Sequence, residues 1–234
     1  MQPTYFPWAG YFNLIKAVDV FVFLDDAQYE RGSWQNRNRV LVDGKPHWLT
    51  VPVIRGHLGE TLDRVQTDEK LPWRRKHVSL LQQTYGKHPF AADALTLPEA
   101  LIGDRSIGSL ADLNIRIIAS ICDRMGIATP RLRASELDVA GKRTDRLIKI
   151  CVQLKCDEYV SPPGALQYLV EDGFSEKASA RLLINDYQPE PYEQRGTTEF
   201  VSHLSIIDIV AHLGWEKAAQ YTSRPARVAA PITP

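Results

Sequence analysis

Two neighbouring carboxylates, Asp25 and Asp26, follow a short apolar run and are the first groups that could carry acid–base chemistry. The run, residues 20–24, is rich in β-branched and aromatic side chains, which predicts a strand covered on both faces. In open α/β sheets ligands collect at the carboxyl ends of strands, so one carboxylate could orient a hydroxyl or an amine. Adjacent strand residues point to opposite sides, however, and a simple turn explains the two carboxylates equally well.

Arginines and amides cluster just beyond these carboxylates. Arg31, Arg37 and Arg39 lie within nine residues of each other. A guanidinium binds phosphate through two parallel hydrogen bonds, so the sequence favours an anion site here over its alternative, a solvated strand edge. The neutral polar side chains of the same region are those of Gln28, Gln35 and Asn36.

The segment 4–11 combines aromatic side chains with turn residues. Its two prolines stiffen the backbone, and Gly10 lets the backbone approach a ligand closely. Tyr5, Trp8 and Tyr11 can stack on a sugar or a base and hydrogen-bond through their polar ends. Their alternative role is to fill a corner of the core, as aromatic side chains commonly do.

Two histidines are candidates for proton transfer. His77 lies in a cationic stretch at 73–77, where an imidazole could act as a general base near neutral pH, although a lone histidine is more often structural. His203 precedes Ser205 and Asp208, which hints at a Ser/His/Asp set. A helix that begins at Ser205 explains the serine and the aspartate more simply, as capping residues.

The turn at 161–164 follows a predicted strand and could bind an anion through backbone N–H groups. It contains a single glycine and two prolines, so the pattern is only weakly indicative. The three cysteines form no CxxC pair and the histidines lack metal-ligand spacing. The sequence therefore predicts neither a metal site nor a disulfide framework, and it identifies no cofactor.

Composition excludes several classes of protein. The chain has 234 residues, 44% of them hydrophobic, and 28 basic residues balance 28 acidic ones. This balance argues against a nucleic-acid binder or a membrane-surface binder. No apolar run reaches the roughly 18 residues of a membrane span, and the N-terminus lacks the basic region of a signal peptide. We expect a cytoplasmic protein with one domain at 1–222 and a disordered tail at 223–234, and a homodimer stays open.

Hydrophobic periodicity locates the elements that must position these groups. Helical spacing predicts helices at 12–17, 68–85, 109–125, 144–154 and 205–213, with a helical turn at 165–169. Strands are predicted at 20–24, 158–160 and 182–185, and a hairpin through Asp43-Gly44 joins 39–42 to 48–53. A strand feeding the segment 4–11 would need apolar residues before Gln2. Either the reading frame extends upstream or this edge of the sheet is unusual.

The alternation of strands and helices predicts a mixed α/β fold. We expect a mainly parallel sheet with flanking helices and a β-hairpin insertion. A Rossmann-like arrangement of the nucleotidyltransferase type is an open alternative within this class.

Taken together, these segments resemble the WbqC-like family. Residues 2–11 are similar to its pattern Q-P-x-Y-[LF]-P-W-x-G-Y, and residues 35–39 to its Q-N-R-N-[RK]. Within 17–28, residues 19–28 are similar to its D-x-[FV]-V-x-[LY]-D-D-[AV]-Q. The resemblance continues to about residue 214. It departs at 161–164, where the family has Ser-Gly-x-Gly and this chain has Ser-Pro-Pro-Gly. The added proline removes a backbone donor, which weakens an anion-binding role for this turn.

The resemblance implies an enzyme of polysaccharide or O-antigen biosynthesis. Such an enzyme would transfer glycine or a similar aminoacyl or acyl group to an amino sugar that is linked to a nucleotide. Under this hypothesis the candidate catalytic residues are Asp25, Asp26 and His77. The candidate substrate-binding residues are Gln2, Tyr5, Trp8, Tyr11, Gln28, Asn36, Arg37, Arg39, Lys76, Tyr85, Ser161 and His203.

Two other functions stay open. The order of loop, short helix and apolar strand is similar to that of nucleotidyltransferases with an H-x-G-H loop, which suggests an ATP-dependent adenylate-forming or nucleotidyl-transferring enzyme. Trp8 and Tyr11 occupy the spacing of those histidines, so the phosphate chemistry of the loop would differ, and a likeness of fold is a weak guide to function. The second alternative is a non-catalytic sugar-binding protein, since the sequence offers no convincing nucleophile.

Overall fold

The computed structural model describes residues 1–54 and 59–223, together with the backbone of 227–229. Its helices are α1 (Ala9–Lys16), α2 (Trp73–Tyr85), α3 (Ala91–Gly103), α4 (Leu110–Arg124), α5 (Arg143–Gln153), α6 (Leu166–Glu171), α7 (Phe174–Lys177) and α8 (Ile206–Tyr221). Its strands are β1 (Phe21–Phe23), β2 (Arg37–Val42), β3 (Lys45–Thr50), β4 (Arg131–Arg133), β5 (Glu158–Ser161), β6 (Arg181–Asp186) and β7 (Arg227–Ala229). The mixed α/β class is thus confirmed.

The strands form three small sheets instead of the mainly parallel sheet predicted from the sequence. β1 pairs in parallel with β4, and β5 pairs in parallel with β6. β7 is antiparallel to β6, and β2 and β3 form the predicted hairpin. The parallel pairs lie in separate sheets because no strand of the described chain joins β1 to β5.

The hairpin turns at Asp43 and Gly44, whose φ angles are both positive, at 47° and 74°. Positive φ at both central residues is typical of a type I′ turn, whose twist matches that of the flanking strands. The turn fixes the register and places Arg39 directly opposite Trp48.

The start of the chain lies along the edge of β1 that faces away from β4. The amino group of Met1 donates to the carbonyl of Val22 at 2.7 Å, and the N–H of Leu24 donates to the carbonyl of Met1 at 2.9 Å. These two bonds have the pattern of a parallel bridge. Met1 therefore occupies the position next to β1 for which the sequence predicted no strand. From Met1 the chain continues through a loop and α1 into β1.

Two apolar clusters form the interior. The larger contains side chains from α1, α4, α8 and the β2–β3 hairpin, among them Phe12, Ile117 and Ile207. The smaller lies among α5, α6, α7 and β6 and consists of Leu147, Leu169, Phe174, Leu182 and Ile184. Burial of these apolar surfaces is the main term that stabilises each cluster.

Local signals predicted α4 well, but they missed α3 and underestimated α8. Ser109 caps α4 by accepting from the N–H of Asp112 at 3.3 Å. α3 contains Pro98 and lacks a side-chain cap, so its sequence carries no start signal. α8 continues beyond Gly214, where φ is 76° and the ring of Phe90 lies 2.8 Å from the position of a Cβ atom. The predicted end at residue 213 marks this kink, and the helix resumes after it.

None of the helices in the described part of the chain combines the length and the apolarity needed to cross a membrane. Within the predicted tail, residues 227–229 form β7. Residues 224–226 and 230–234 lie outside the described chain.

Candidate functional site

A cavity of about 940 Å³ is lined by side chains of both apolar clusters. One wall is built by residues 1–24, which include α1 and β1, and the opposite wall by α5, β5 and the turn that follows β5. Ser33, Trp34 and His203 close one end. Concave sites of this size hold small-molecule ligands, so we take this cavity as the candidate site.

The loop at 2–8 is fixed by amide side chains that satisfy its backbone. Asn38 donates to the carbonyl of Phe6 at 2.8 Å, and Asn114 donates to the carbonyls of Pro3 and Gln35 at 3.2 and 2.7 Å. These asparagines are almost fully buried. Phe6 has a φ of 40°, a conformation that a bulky residue adopts only where its surroundings enforce it.

Trp8 presents the main aromatic wall at this end of the cavity. Its indole folds back over Gly10, where a Cβ atom would lie only 2.3 Å from the ring. The ring centroid lies 4.3 Å from that of His203 and 5.7 Å from that of Tyr187. With the indole in this position, any larger residue at position 10 would force the ring to move.

His203 is the imidazole that lines the cavity. Its Nδ1 lies 2.8 Å from the Ser202 hydroxyl, and no other described residue hydrogen-bonds the ring, so Nε2 is available to a ligand. Burial lowers the pKa of His203, and the positive charge of Arg39 lowers it further. The ring is therefore neutral at pH 7 and can accept a proton.

Two arginines and two tryptophans, here called the arginine–indole cluster, form the rim beside His203. The Arg37 guanidinium carbon lies 4.2 Å from the Trp48 ring centroid, and that of Arg39 lies 5.6 Å from the Trp34 centroid. The two indoles are 5.3 Å apart and 45% and 40% exposed. Large exposed aromatic surfaces next to cations are typical of binding sites.

The guanidinium groups of this cluster lack the partners that arginines usually have. The Nε atoms of Arg37 and Arg39 are buried without a hydrogen-bond partner. Within the described ranges, no carboxylate lies at ion-pair distance from either arginine. Both side chains are half-buried, and Arg39 donates to the carbonyl of Ser202 at 3.5 Å, so their guanidinium groups are suited to an anionic ligand.

The predicted catalytic aspartates do not line the cavity. They hold the segment 135–146 next to the end of β1. Asp25 is fully buried and accepts from the N–H and hydroxyl of Ser135 at 3.1 and 2.7 Å. Asp26 accepts two hydrogen bonds from Arg146, one of them at 2.6 Å. Arg146 in turn donates to the carbonyl of Val139 at 2.9 Å. Both carboxylates are therefore engaged in contacts within the protein.

His77, the third predicted catalytic residue, is buried away from the cavity. Its Nδ1 lies 3.0 Å from the Tyr5 hydroxyl, and the ring also hydrogen-bonds the backbone of Thr50. Burial lowers the pKa of His77 to about 4. With both nitrogens engaged inside the protein, His77 has no position from which to take a proton from a ligand in the cavity.

The model of the WbqC-like protein family matches residues 2–220. The chain belongs to this family. It is also 31% identical over 217 residues to the uncharacterized protein Rv1507c of Mycobacterium tuberculosis, a match that covers 92% of this chain and 93% of that protein. No solved structure matches the chain. Family membership therefore rests on sequence, and the matched range includes both the arginine–indole cluster and His203.

The other predicted binding residues divide between the cavity and the interior. Gln2, Trp8, Tyr11, Ser161 and His203 line the cavity. Of these, Tyr11 is buried with its hydroxyl on the carbonyl of Gln2 at 3.1 Å, and Ser161 is fully buried. Neither of the latter two presents a polar surface comparable to that of His203.

The remaining predictions fall elsewhere. Tyr5 and Tyr85 are fully buried, which confines their rings to the core, and Asn36 is buried with its amide on the carbonyl of Val51 at 2.9 Å. Gln28 and Lys76 are exposed, and neither lines the cavity. The Ser/His/Asp set is not assembled either. Its serine caps α8 and its aspartate is buried beside Tyr85 and Tyr192.

The sequence interpretation missed the tryptophans of the arginine–indole cluster. A signal for one of them was present, because the predicted Asp43-Gly44 turn pairs Arg39 with Trp48 across the hairpin. Trp34 joins them only through the fold of the loop at 30–36, which no local pattern encodes.

Proposed function

We propose that this protein transfers an aminoacyl or acyl group to the amine of an amino sugar that is linked to a nucleotide, as a step of polysaccharide biosynthesis. The observation that carries the proposal is the arginine–indole cluster, whose two guanidinium groups have no acidic partner among the described residues and of which Arg39 lies next to the neutral imidazole of His203. Family membership supports it.

The cluster suits a nucleoside diphosphate. Guanidinium groups bind phosphate oxygens through paired hydrogen bonds, and Arg37 and Arg39 are held by the indoles in position to do so. The exposed faces of Trp34 and Trp48 can stack on a base or on the apolar face of a sugar. The sugar would then extend past Trp34 into the cavity, towards Trp8 and His203.

His203 is the group we assign as general base. The sugar amine attacks the carbonyl carbon of an activated ester or thioester, so an N–C bond forms and the bond to the leaving oxygen or sulfur breaks. His203 Nε2 takes the proton that the amine loses and returns it to the leaving group. A neutral imidazole suits this task at pH 7, and such proton transfer contributes typically 10²–10⁴-fold in rate.

The test is a thermal-shift panel of nucleoside-diphosphate-linked amino hexoses, followed by an amide-forming assay on the compound that binds. At a ligand concentration of 100 Kd we expect the melting temperature to rise by roughly 5–10 °C. Arg37→Ala combined with Arg39→Ala should abolish this rise, whereas Arg75→Ala, which removes an exposed arginine of α2, should preserve it. Absence of binding across the panel would refute the proposal.

A second candidate is an ATP-dependent adenylate-forming or nucleotidyl-transferring enzyme with a nucleotidyltransferase-like fold. It is favoured by the path from Met1 through a loop and α1 into β1, in which Met1 bridges β1 in parallel. Stabilisation by ATP with magnesium, and by no amino-sugar nucleotide, would support this function. Binding of an amino sugar without any product from ester or thioester donors would instead indicate a sugar-binding protein.

A further inference from the structure

His203 lies on a short segment, residues 201–205, that is held at its C-terminal end by the loop and the hairpin. The N–H of Ser205 donates to the carbonyl of Arg39 at 2.8 Å, and the N–H of Ile206 donates to the carbonyl of Pro7 at 2.9 Å. The φ angle of His203 is 58°. A non-glycine residue keeps such a conformation only where the surrounding structure enforces it.

Gln194 holds the N-terminal end of this segment. Its Oε1 accepts from the N–H of Val201 at 2.8 Å, and its Nε2 donates to the carbonyl of Val201 at 3.0 Å. The side chain is 5% exposed, so water competes little for these bonds. The amide therefore pairs with both backbone groups of Val201, as a residue of a neighbouring strand would. Val201 lies two residues before His203.

Asp208 fixes Gln194 from the first turn of α8. Its buried carboxylate accepts from the hydroxyl of Tyr192 at 2.5 Å, from that of Tyr85 at 2.9 Å and from Nε2 of Gln194 at 3.3 Å. The imidazole of His212 lies 3.6 Å from the same carboxylate. Because α8 begins next to the His203 segment, this network ties both ends of the segment to one helix.

We propose that Gln194 and Asp208 are positioning residues for His203: they hold residues 201–205 so that the imidazole stays against Trp8 and beside Arg39. The catalytic consequence rests on the proposed function, but the positioning itself does not. Asp208 makes no bond to His203. It acts indirectly, because it binds Gln194 and the tyrosines, and Gln194 in turn binds the backbone of Val201.

The test uses Gln194→Met, which keeps the length of the side chain and removes both bonds to Val201. The matched control is Gln153→Met, because Gln153 is exposed and also donates to a backbone carbonyl, that of Leu137 at 3.0 Å. The pKa of His203 is measured by NMR titration in the full chain. We expect it to rise towards the ordinary value in Gln194→Met and to stay unchanged in Gln153→Met, because a released imidazole moves away from Arg39.

Activity on the amino-sugar nucleotide gives the second readout. In Gln194→Met we expect kcat to fall at least about tenfold, part of what a general base supplies, with KM for the nucleotide changed far less. A variant that melts earlier yet keeps the wild-type pKa of His203 and the wild-type kcat would overturn the proposal, since a merely structural role predicts that result.

Tyr192→Phe covers the case in which Gln194→Met does not fold. It removes one hydroxyl from Asp208 without changing the shape of the side chain, and we expect a smaller rise of the His203 pKa in the same direction. An unchanged pKa in a folded Tyr192→Phe would contradict the proposal. If His203→Gln is fully active, the proposed function fails, while the His203 pKa in Gln194→Met still decides the positioning role.

Discussion

The imidazole of His203 lies against the indole of Trp8, with the ring centroids 4.3 Å apart and the ring planes tilted by 36°. The two residues come from opposite ends of the chain, and each is held in place by its own constraint. Trp8 lies over Gly10, and His203 occupies a left-handed backbone conformation. The pair forms one end of the cavity and brings a proton acceptor next to an aromatic wall.

Replacing Gly10 by alanine should displace this indole while leaving the fold intact. The added Cβ would lie 2.3 Å from the Trp8 ring, so the ring must move. Alanine also favours a helix over glycine by up to about 1 kcal/mol, which offsets part of the lost packing. We expect a near-native melting temperature, a changed His203 proton shift in NMR spectra, and slower turnover.

The matched control for this change is Gly103→Ala. Gly103 ends α3, and a Cβ added there meets no atom within 4 Å. An unaltered His203 shift in Gly10→Ala would show that the indole does not depend on this glycine.

After burial, Arg39 should contribute to the lowered pKa of His203, and Arg37 should not. The positive charge of Arg39 is one of the two causes that lower this pKa, and Arg37 is not among them. We therefore expect Arg39→Ala to raise the pKa of His203, so that the acid limb of a pH–rate profile moves to higher pH. Arg37→Ala should weaken nucleotide binding and leave the titration of His203 where it is. Equal shifts in both variants would disprove this assignment.

His77 should make the protein less stable in mild acid. Its pKa is about 4 in the folded chain against an ordinary 6.5, so the unfolded chain binds more protons between these values. Stability contributed by the neutral ring is complete above pH 6.5 and is lost as the pH falls to 4. The loss amounts to about 3 kcal/mol for this shift.

Urea unfolding at pH 7 and at pH 4.5 would measure this effect. The difference in unfolding free energy between the two pH values should shrink in His77→Gln. Most of the difference should remain in His47→Gln, which removes an exposed imidazole of β3 and only the smallest of the causes that act on the pKa of His77. An identical pH dependence in wild type and His77→Gln would refute the role of His77.

Asp25→Asn should weaken folding and leave the chemistry unchanged. Its carboxylate is fully buried and accepts from Ser135, and a lost charge-assisted bond of this kind typically costs about 1–3 kcal/mol. We expect a lower melting temperature with the wild-type kcat on any substrate found. Asp145→Asn, at an exposed position on α5, should change neither quantity. A kcat reduced a hundredfold in a folded Asp25→Asn would show that the carboxylate takes part in the reaction.

The sequence predicted what short-range patterns encode. Ser109 at the start of α4 and Asp43-Gly44 in the hairpin are local signals, and both were interpreted correctly. β4 was missed because an Arg-Leu-Arg segment has no strand pattern of its own and is a strand only through its pairing with β1.

The candidate site was harder to predict because its chemistry depends on burial and on distant contacts. His77 looked like a base in a cationic stretch, but its surroundings come from Tyr5, 72 residues away. Conversely, no local sequence pattern predicts the hydrogen bond between Gln194 and Asp208, which lie 14 residues apart. Arg37 and Arg39 were proposed from residue type alone, since the affinity of a guanidinium for anions does not depend on the fold, and their binding role stays a prediction.

We expect the molecule to open as two units, one around each apolar cluster, with the cavity between them. Each wall rests on its own apolar cluster, and the contacts that join the clusters include the ion pair between Asp26 and Arg146. Amide hydrogen exchange should therefore show a lower opening free energy for α5–α7 than for α4. A ligand that touches both walls would bind only when the two units are closed, so it would slow exchange at Leu169 and Phe174, which do not line the cavity.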